Sequence, residues 1–138
     1  FRYDAPGRFP NEGARSTPAV GPERVYTIGA TGLMHCIDRA THQAVWKKDL
    51  LAEYGVRLPR WAVAQSPILY EDMVIAAPQS GSVGVVAFDQ ATGKERWRSE
   101  AVGRMAYATP KLLTLDGVDQ IVIVENSGAT AVSAEPAA

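Results

Sequence analysis

Four residues between positions 35 and 42 are of types that bind metal ions or act in catalysis: His35, Cys36, Asp38 and His42. Adjacent residues of a β-strand point to opposite faces, so His35 and Cys36 cannot readily face one ion. Zinc sites also favour ligands that are separated by two or more residues. We therefore expect a surface histidine beside a buried cysteine, and no metal site.

Two short loops carry residues typical of nucleotide binding and of nucleophilic catalysis. The segment Gly29–Gly32 has the glycines of a dinucleotide-binding turn, but that function requires a helix directly afterwards, and residues 33–38 are typical of a strand. The segment Ser80–Gly84 lacks the first glycine of a nucleophile elbow. We interpret both as hairpin loops. With no credible Ser/His/Asp set and no suitable pair of carboxylates, we expect no catalytic residues in this chain.

The composition is that of an ordinary globular chain. Of 138 residues, 46% are hydrophobic and 21% charged, the net charge is -1, and acidic and basic residues are interspersed. These values argue against nucleic-acid binding. No apolar run approaches the roughly 18 residues of a membrane span, so we expect no membrane insertion. Cys36 is the only cysteine, which excludes an intrachain disulfide but does not exclude export.

A repeated pattern organises the chain. Residues 36–46 align with residues 87–97, and each copy contains Asp, Thr and Trp at equivalent positions. A Ser/Thr-Pro dipeptide precedes each repeat and also occurs a third time, so that the three copies are Thr17-Pro18, Ser66-Pro67 and Thr109-Pro110. A repeat of this length marks one supersecondary unit that stacks on its neighbours.

Each unit contains short apolar runs rich in Val and Ile, separated by Gly, Pro and Asp, which are strand and turn signals. Four short antiparallel strands per unit describe a β-propeller blade. We predict an all-β chain that forms a single domain over residues 1–138. It contains one blade at about 15–50, a second at about 64–100 and a truncated third at about 107–134. Residues 49–54 could form one helical turn at most.

The second copy resembles the tryptophan-docking motif of pyrroloquinoline-quinone (PQQ) dehydrogenase propellers. The same motif occurs in cofactor-free relatives, which include the lipoprotein propeller of the outer-membrane β-barrel assembly machinery. The first copy departs from the motif by Cys36 in place of Ala and His42 in place of Gly. The residues that carry the resemblance are Asp89, Thr92, Gly93 and Trp97 in the second copy, and Asp38, Thr41 and Trp46 in the first.

These residue types at this spacing suit the docking of one blade on the next rather than chemistry. Asp89 can accept N–H groups of its own turn, and Gly93 can supply a positive φ where the chain reverses. The Trp ring is large enough to fill the wedge between blades. His42, at the glycine position, should cost up to about 1 kcal/mol if that position requires a positive φ.

The resemblance implies a ring of seven or eight blades, of which this chain would supply fewer than half. We expect either a piece of a longer propeller or several chains that close a ring together. Open blade edges would invite self-association. The resemblance also implies a periplasmic or extracellular location.

A candidate binding face follows from the position of the loops that lead into the innermost strands, where most propellers bind ligands. When the repeats are aligned on their prolines, cationic and aromatic residues fall at corresponding places in successive blades. Arg and aromatic side chains are typical of recognition surfaces. The candidates are Glu12, Arg15, Arg60, Trp61, Arg104 and Tyr107.

Three functions agree with this sequence. The first is a non-catalytic, cofactor-free propeller module that binds protein partners or a polymer in an exported bacterial protein. The second is part of a PQQ-dependent alcohol or sugar dehydrogenase, in which Ca²⁺ and the quinone would be held by blades outside this sequence. Against it, the chain has no pair of adjacent cysteines, and Glu12 is the only acidic residue in the segments that lead into the channel. The third is a purely structural repeat.

Overall fold

The computed structural model describes residues 13–135, which form eleven β-strands and one short helix in three antiparallel sheets. The first sheet contains β1 (Ala19–Val20), β2 (Arg24–Ile28), β3 (Leu33–Asp38) and β4 (Ala44–Asp49). The second contains β5 (Ile68–Tyr70), β6 (Met73–Ala76), β7 (Val86–Asp89) and β8 (Glu95–Arg98). The third contains β9 (Lys111–Leu115), β10 (Val118–Glu125) and β11 (Gly128–Ser133).

Within each sheet, every strand pairs with the strand that follows it in sequence, so each sheet is a meander. The turns that produce this order have local causes. Glu71 between β5 and β6 has φ 51°, and Asp116 and Gly117 between β9 and β10 have φ 52° and 77°. The segments Gly29–Gly32 and Ser80–Gly84 join β2 to β3 and β6 to β7. The prediction that both are hairpin loops is therefore confirmed.

The second sheet is buried on both faces. Val74 and Phe88 pack in a core shared with the first sheet, whereas Ile75 and Ala87 pack in a second core shared with the third sheet. Successive strand residues point to opposite faces, so a strand covered on both sides must be apolar at every position. This explains why all four residues of β6 and the first three residues of β7 are apolar.

The third sheet has one buried and one exposed face. Ile121 and Ile123 of β10 are buried against the second sheet. Leu113, Leu115 and Val118, which come from β9 and β10, are 44%, 46% and 51% exposed. The exposed apolar side chains lie on the side away from the second sheet, where a further blade would pack in a longer propeller.

A single helical turn, α1 (Leu50–Glu53), follows the first sheet, as the sequence predicts. Asp49 is its N-cap, and the Asp49 carboxylate accepts a hydrogen bond from Ala52 N. Beyond the turn, the Tyr54 ring lies 6.5 Å from the Phe88 ring, and the Tyr54 hydroxyl donates to Glu95 Oε2 at 2.7 Å. The connection between the first two sheets is therefore packed onto the second sheet.

The expectation of a surface histidine beside Cys36 is wrong. His35 is only 4% exposed, and Cys36 is fully buried. The reason is that β3 is an inner strand, in which His35 lies between Thr27 and Lys47 of the flanking strands. Burial, followed by the charge of Lys47, lowers the pKa of His35. The two side chains do alternate, since only Cys36 belongs to the core shared with the second sheet.

Candidate functional site

The Asp-Thr turns of the first two sheets have the same hydrogen bonds. Asp89 Oδ1 accepts from Ala91 N at 3.1 Å and from the main chain and hydroxyl of Thr92, both at 2.8 Å. Asp38 Oδ1 accepts from residues 40 and 41 in the same way, at 2.8 to 3.0 Å. These bonds favour the ionised carboxylates and lower the pKa of Asp38 and Asp89. Both aspartates therefore serve to shape turns.

The described chain after β11 begins with two of the same hydrogen bonds, which sequence comparison did not predict. Ser133 Oγ accepts from Glu135 N at 3.2 Å, as the Asp89 carboxylate accepts from Ala91 N. Ala134 N donates to Asp119 O at 2.9 Å, and Gln90 N donates to Asp72 O at 2.9 Å in the second sheet. Serine replaces aspartate here, and a hydroxyl forms such turns too.

Trp46 of the first sheet docks on the turn of the second sheet. Its Nε1 donates to Gln90 O at 3.0 Å, and the Tyr26 hydroxyl donates to the same oxygen at 3.2 Å. A Cβ added to Gly93 would lie 2.7 Å from Cδ2 of Trp46, so only glycine fits beneath the ring. Gly93 also has φ 70°. One residue thus meets two requirements, for space and for conformation.

Gln90 was not singled out by the repeat, yet it connects the two sheets. Besides accepting from Trp46 and Tyr26, its side-chain amide donates to Glu71 O and Met73 O, both at 3.0 Å. Arg39 occupies the equivalent place in the first sheet and donates to Gly21 O and Pro22 O. Because the two side chains differ in type, alignment of the repeats does not indicate this shared role.

Trp97 occupies the corresponding place between the second and third sheets. It packs in the second core, which also contains Ala134. Trp97 Nε1 is buried and has no hydrogen-bond partner among residues 13–135. The second docking contact is therefore apolar within the described part of the chain.

The repeated Ser/Thr-Pro dipeptides form a hydrogen-bonded relay across the three sheets. Thr17 N donates to Ser66 Oγ at 2.8 Å. Ser66 N in turn donates to Thr109 Oγ1 at 3.0 Å. The Ser66 and Thr109 hydroxyls each accept the main-chain N–H of the counterpart residue before the preceding sheet, which explains why Ser or Thr recurs before the proline. We call these three residues the Ser/Thr relay.

The predicted binding face is only partly assembled as one surface. The Arg60 guanidinium lies 5.0 Å from the centre of the Trp61 ring, and Trp61 is 44% exposed. Arg104 is exposed and lines a neighbouring cleft. Tyr107 is half-buried with φ 62°, and Arg15 is also half-buried. Glu12 lies outside the described residues.

A cleft of about 600 Å³ opens between the connection that follows α1, the loop between β6 and β7, and the segment before β9. We call it the arginine cleft. Arg57 and Arg104 contribute its charged side chains, and neither forms an ion pair with a described residue. The lining residues are Gly55, Val56, Arg57, Leu58, Pro59, Gln79, Ser80, Gly81, Arg104 and Met105.

The inner wall of the arginine cleft is held by two buried glutamines. Gln65 Nε2 donates to the side-chain oxygen of Gln79, and Gln79 Nε2 donates to Arg104 O at 3.4 Å and to Val124 O at 3.3 Å. Gln79 thus ties the second sheet to the third beside Arg104. Sequence reasoning missed Arg57 and Gln79, which lie outside the aligned repeat segments. It also missed Gln65, because the corresponding residues of the other copies are Ser16 and Ala108 and no residue type recurs there.

The arginine cleft does not suit the Ca²⁺ of a quinone enzyme. Calcium is bound by carboxylate and carbonyl oxygens, and no Asp or Glu lines the cleft in the part of the chain that the structure describes. Residues 13–135 contain no group of three or more His, Cys, Asp or Glu side chains that could hold a metal ion. No helix in that range is both long and apolar enough to cross a bilayer.

Comparison with known proteins agrees with this architecture. A family described as outer membrane protein assembly factor BamB matches residues 7–137. The BamB protein of Xanthomonas campestris pv. campestris is 33% identical over 89 residues, which cover 64% of this chain and 21% of the relative. The chain therefore spans about a fifth of that curated relative.

Solved propellers have the same fold at lower identity. BamB from Moraxella catarrhalis gives a TM-score of 0.57 at 21% identity, covering 87% of this chain and 33% of that one. Quinohemoprotein alcohol dehydrogenase from Comamonas testosteroni gives 0.59 at 23% identity, covering 89% and 20%. The enzyme ADHIIG from Pseudomonas putida HK5 gives 0.61 at 20% identity, covering 89% and 19%.

These structural likenesses establish a partial β-propeller, and the fold prediction is confirmed. They do not separate an assembly factor from a dehydrogenase, because both kinds of protein share the fold at similar scores. The match over residues 7–137 shows the family. The chain belongs to the PQQ-like propeller-repeat family described as outer membrane protein assembly factor BamB.

Proposed function

We propose that this chain is a non-catalytic, cofactor-free propeller module that binds protein partners during the assembly of outer membrane proteins in the bacterial cell envelope. The observation that carries the proposal is the exposed cationic and aromatic surface formed by Arg60, Trp61 and the arginine cleft. Arginine and tryptophan are the residue types that contribute most to protein interfaces. The name of the Xanthomonas relative, an outer membrane protein assembly factor, supports the process, and a periplasmic location is part of the same proposal.

The residues of the repeat motifs have a structural explanation, which supports this assignment. The aspartates shape turns, the tryptophans pack between sheets, and the Ser/Thr relay joins the segments before β1, β5 and β9. The surface around Arg60 and Arg104 has no such explanation. Charged side chains without ion-pair partners, next to an exposed aromatic ring, favour recognition of another molecule.

The experiment is replacement of Arg60, Trp61 and Arg104 together by alanine in the full-length protein, followed by measurement of β-barrel proteins in the outer membrane of cells that lack the wild-type copy. We expect barrel levels to fall while the amount of the variant protein stays unchanged. A matched control replaces Lys94 and Lys111, two exposed cations elsewhere on the surface, by alanine. Unchanged barrel levels in the triple variant would contradict the proposal.

A PQQ-dependent dehydrogenase is the second candidate, favoured by the structural likeness to two quinohemoprotein alcohol dehydrogenases. The residues that line the arginine cleft do not support it, since they lack carboxylates for Ca²⁺. Addition of PQQ and Ca²⁺ to the full-length protein tests this candidate directly. Quinone absorbance in the purified protein together with dye reduction by an alcohol would establish the dehydrogenase and overturn the first proposal.

A further inference from the structure

We infer that the arginine cleft binds an acidic, extended peptide segment of a partner protein, with one carboxylate near Arg57 and another near Arg104. This inference rests on the proposed function and specifies the chemistry of its partner. It depends on the charge of the cleft, on the free main-chain groups along one wall, and on the rigidity of the opposite wall.

The charge argument is that Arg57 and Arg104 differ from Arg96 and Arg98, which form ion pairs, and that they line the same concave surface. Arg96 pairs with Asp72 and Asp89, and Arg98 pairs with Glu95. Neither cleft arginine has an anionic partner among residues 13–135, and no acidic residue lines the cleft within that range. Two unneutralised guanidinium groups in one concave surface favour carboxylates, which they can bind in a bidentate manner.

The main-chain argument concerns the wall formed by residues 55–59. The N–H and C=O groups of Arg57 and Leu58 have no hydrogen-bond partners among the described residues. Pro59 O is the next group that is used, and it accepts from Ala62 N at 2.9 Å. An extended peptide can satisfy such unpaired groups with its own main chain, as in β-strand addition. A lipid headgroup has no repeating donor and acceptor pattern to match them.

The apolar lining adds a side-chain preference. Leu58 is 47% exposed, and Val56, Pro59 and Met105 also line the cleft. Alternate side chains of an extended peptide point in opposite directions. A segment in which acidic and apolar residues alternate would therefore present its carboxylates to the arginines on one face and its aliphatic groups to the apolar residues on the other.

The opposite wall is already ordered, which lowers the entropic cost of binding. Gln79 is 5% exposed and is held by Gln65, by Arg104 O and by Val124 O. Arg104 N donates to Asn126 Oδ1 at 3.1 Å, and Asn126 N donates to Arg104 O at 3.2 Å. The main chain that carries Arg104 is thus fixed before any ligand arrives.

The test uses a fluorescein-labelled peptide of alternating glutamate and valine and measures its binding to the full-length protein by fluorescence anisotropy. We expect saturable binding that weakens as salt is added. The double variant Arg57→Glu/Arg104→Glu should bind at least about tenfold more weakly. It should also gain affinity for the matching lysine–valine peptide, a gain that loss of folding cannot produce. The control variant Lys94→Glu/Lys111→Glu has the same change in net charge and should bind like the wild type.

Three outcomes would overturn the inference. The first is equal binding of the glutamate peptide and of a glutamine–valine peptide. The second is binding of phosphatidylglycerol vesicles, but not of the peptide, by the wild-type protein. The third is unchanged peptide binding by the double variant. If the inference fails while the triple alanine variant still lowers barrel levels in the outer membrane, the proposed function stands and only the chemistry of its partner is wrong.

Discussion

Trp46 and Gly93 form a contact between the first two sheets in which the indole ring occupies the space that a Cβ of residue 93 would need. A methyl group at Gly93 would come within 2.7 Å of Trp46 Cδ2 and within 3.1 Å of Cε3. The same glycine has φ 70°, a conformation that side chains disfavour. The contact explains why the second copy has glycine at this position, beneath the Trp of the preceding sheet.

Replacement of Gly93 by alanine should destabilise the protein by about 2–4 kcal/mol, because it adds steric overlap with Trp46 to the cost of a positive φ. Equilibrium unfolding in urea measures the effect. Gly117→Ala is the matched control, since Gly117 has φ 77° but nothing within 4 Å of an added Cβ. It should cost only about 1 kcal/mol. Equal losses for the two variants would show that the Trp46 contact contributes nothing.

His42 occupies the position in the first sheet that Gly93 holds in the second, and it has φ 58°. His42 N donates to Asp38 O at 2.9 Å, as Gly93 N donates to Asp89 O at 2.9 Å. His42→Gly should therefore raise the free energy of unfolding by up to about 1 kcal/mol. His42→Ala keeps a Cβ and serves as the control, with little change expected. A glycine variant less stable than the alanine variant would contradict this account of the strain.

The Ser/Thr relay should contribute to stability through its hydrogen bonds. Thr109→Val removes the acceptor of Ser66 N without changing the shape of the side chain, and we expect a loss of about 1 kcal/mol in urea unfolding. Thr31→Val is the matched control, because Thr31 Oγ1 is buried without a hydrogen-bond partner in the described range. That substitution should be neutral or stabilising. Similar losses of unfolding free energy at both positions would show that the hydrogen bond of the Ser/Thr relay does not stabilise the protein.

The Thr92 hydroxyl is the main cause of the lowered pKa of Asp89. Thr92→Val should therefore raise the pKa of Asp89 toward its ordinary value of about 3.9, as measured by NMR titration of the carboxyl carbon. The carboxylate contributes stability above the unfolded pKa, and that contribution is lost as the pH falls through the lower folded pKa. The variant should lose it at a higher pH. Thr41→Val, which alters the turn of Asp38 instead, should leave the Asp89 titration unchanged.

The fold could be predicted from the sequence because the repeat contains residues with special backbone conformations. Asp, Gly and Pro fix turns locally, and Trp marks the contact between sheets, so aligned copies locate strands without knowledge of the tertiary structure. The burial of His35 could not be predicted, because it depends on tertiary packing and not on the local sequence. An inner strand can be covered on both faces, and nothing in its local sequence reports how much neighbouring chain covers it.

The candidate site was predicted less completely. Alignment on the prolines located Arg60, Trp61 and Arg104, but not Arg57 or Gln79. Arg57 lies in the connection between β4 and β5, and alignment on the prolines places Glu100 at the corresponding position of the next unit, so the alignment does not mark Arg57 as a recurring cation. Gln79 matters through contacts with Gln65 and with carbonyl groups of distant residues. Such contacts depend on how the sheets pack, which a repeat pattern does not specify.

The Ser/Thr relay gives the array of blades a direction. Thr17 donates to Ser66, and Ser66 donates to Thr109, so each blade offers an acceptor on one side and a donor on the other. Two identical open faces cannot satisfy each other in this way, which disfavours a two-fold symmetric dimer through the blade faces. Any further blade or chain that continues the relay must join head to tail, and such a series either closes into a ring or grows as a helical filament.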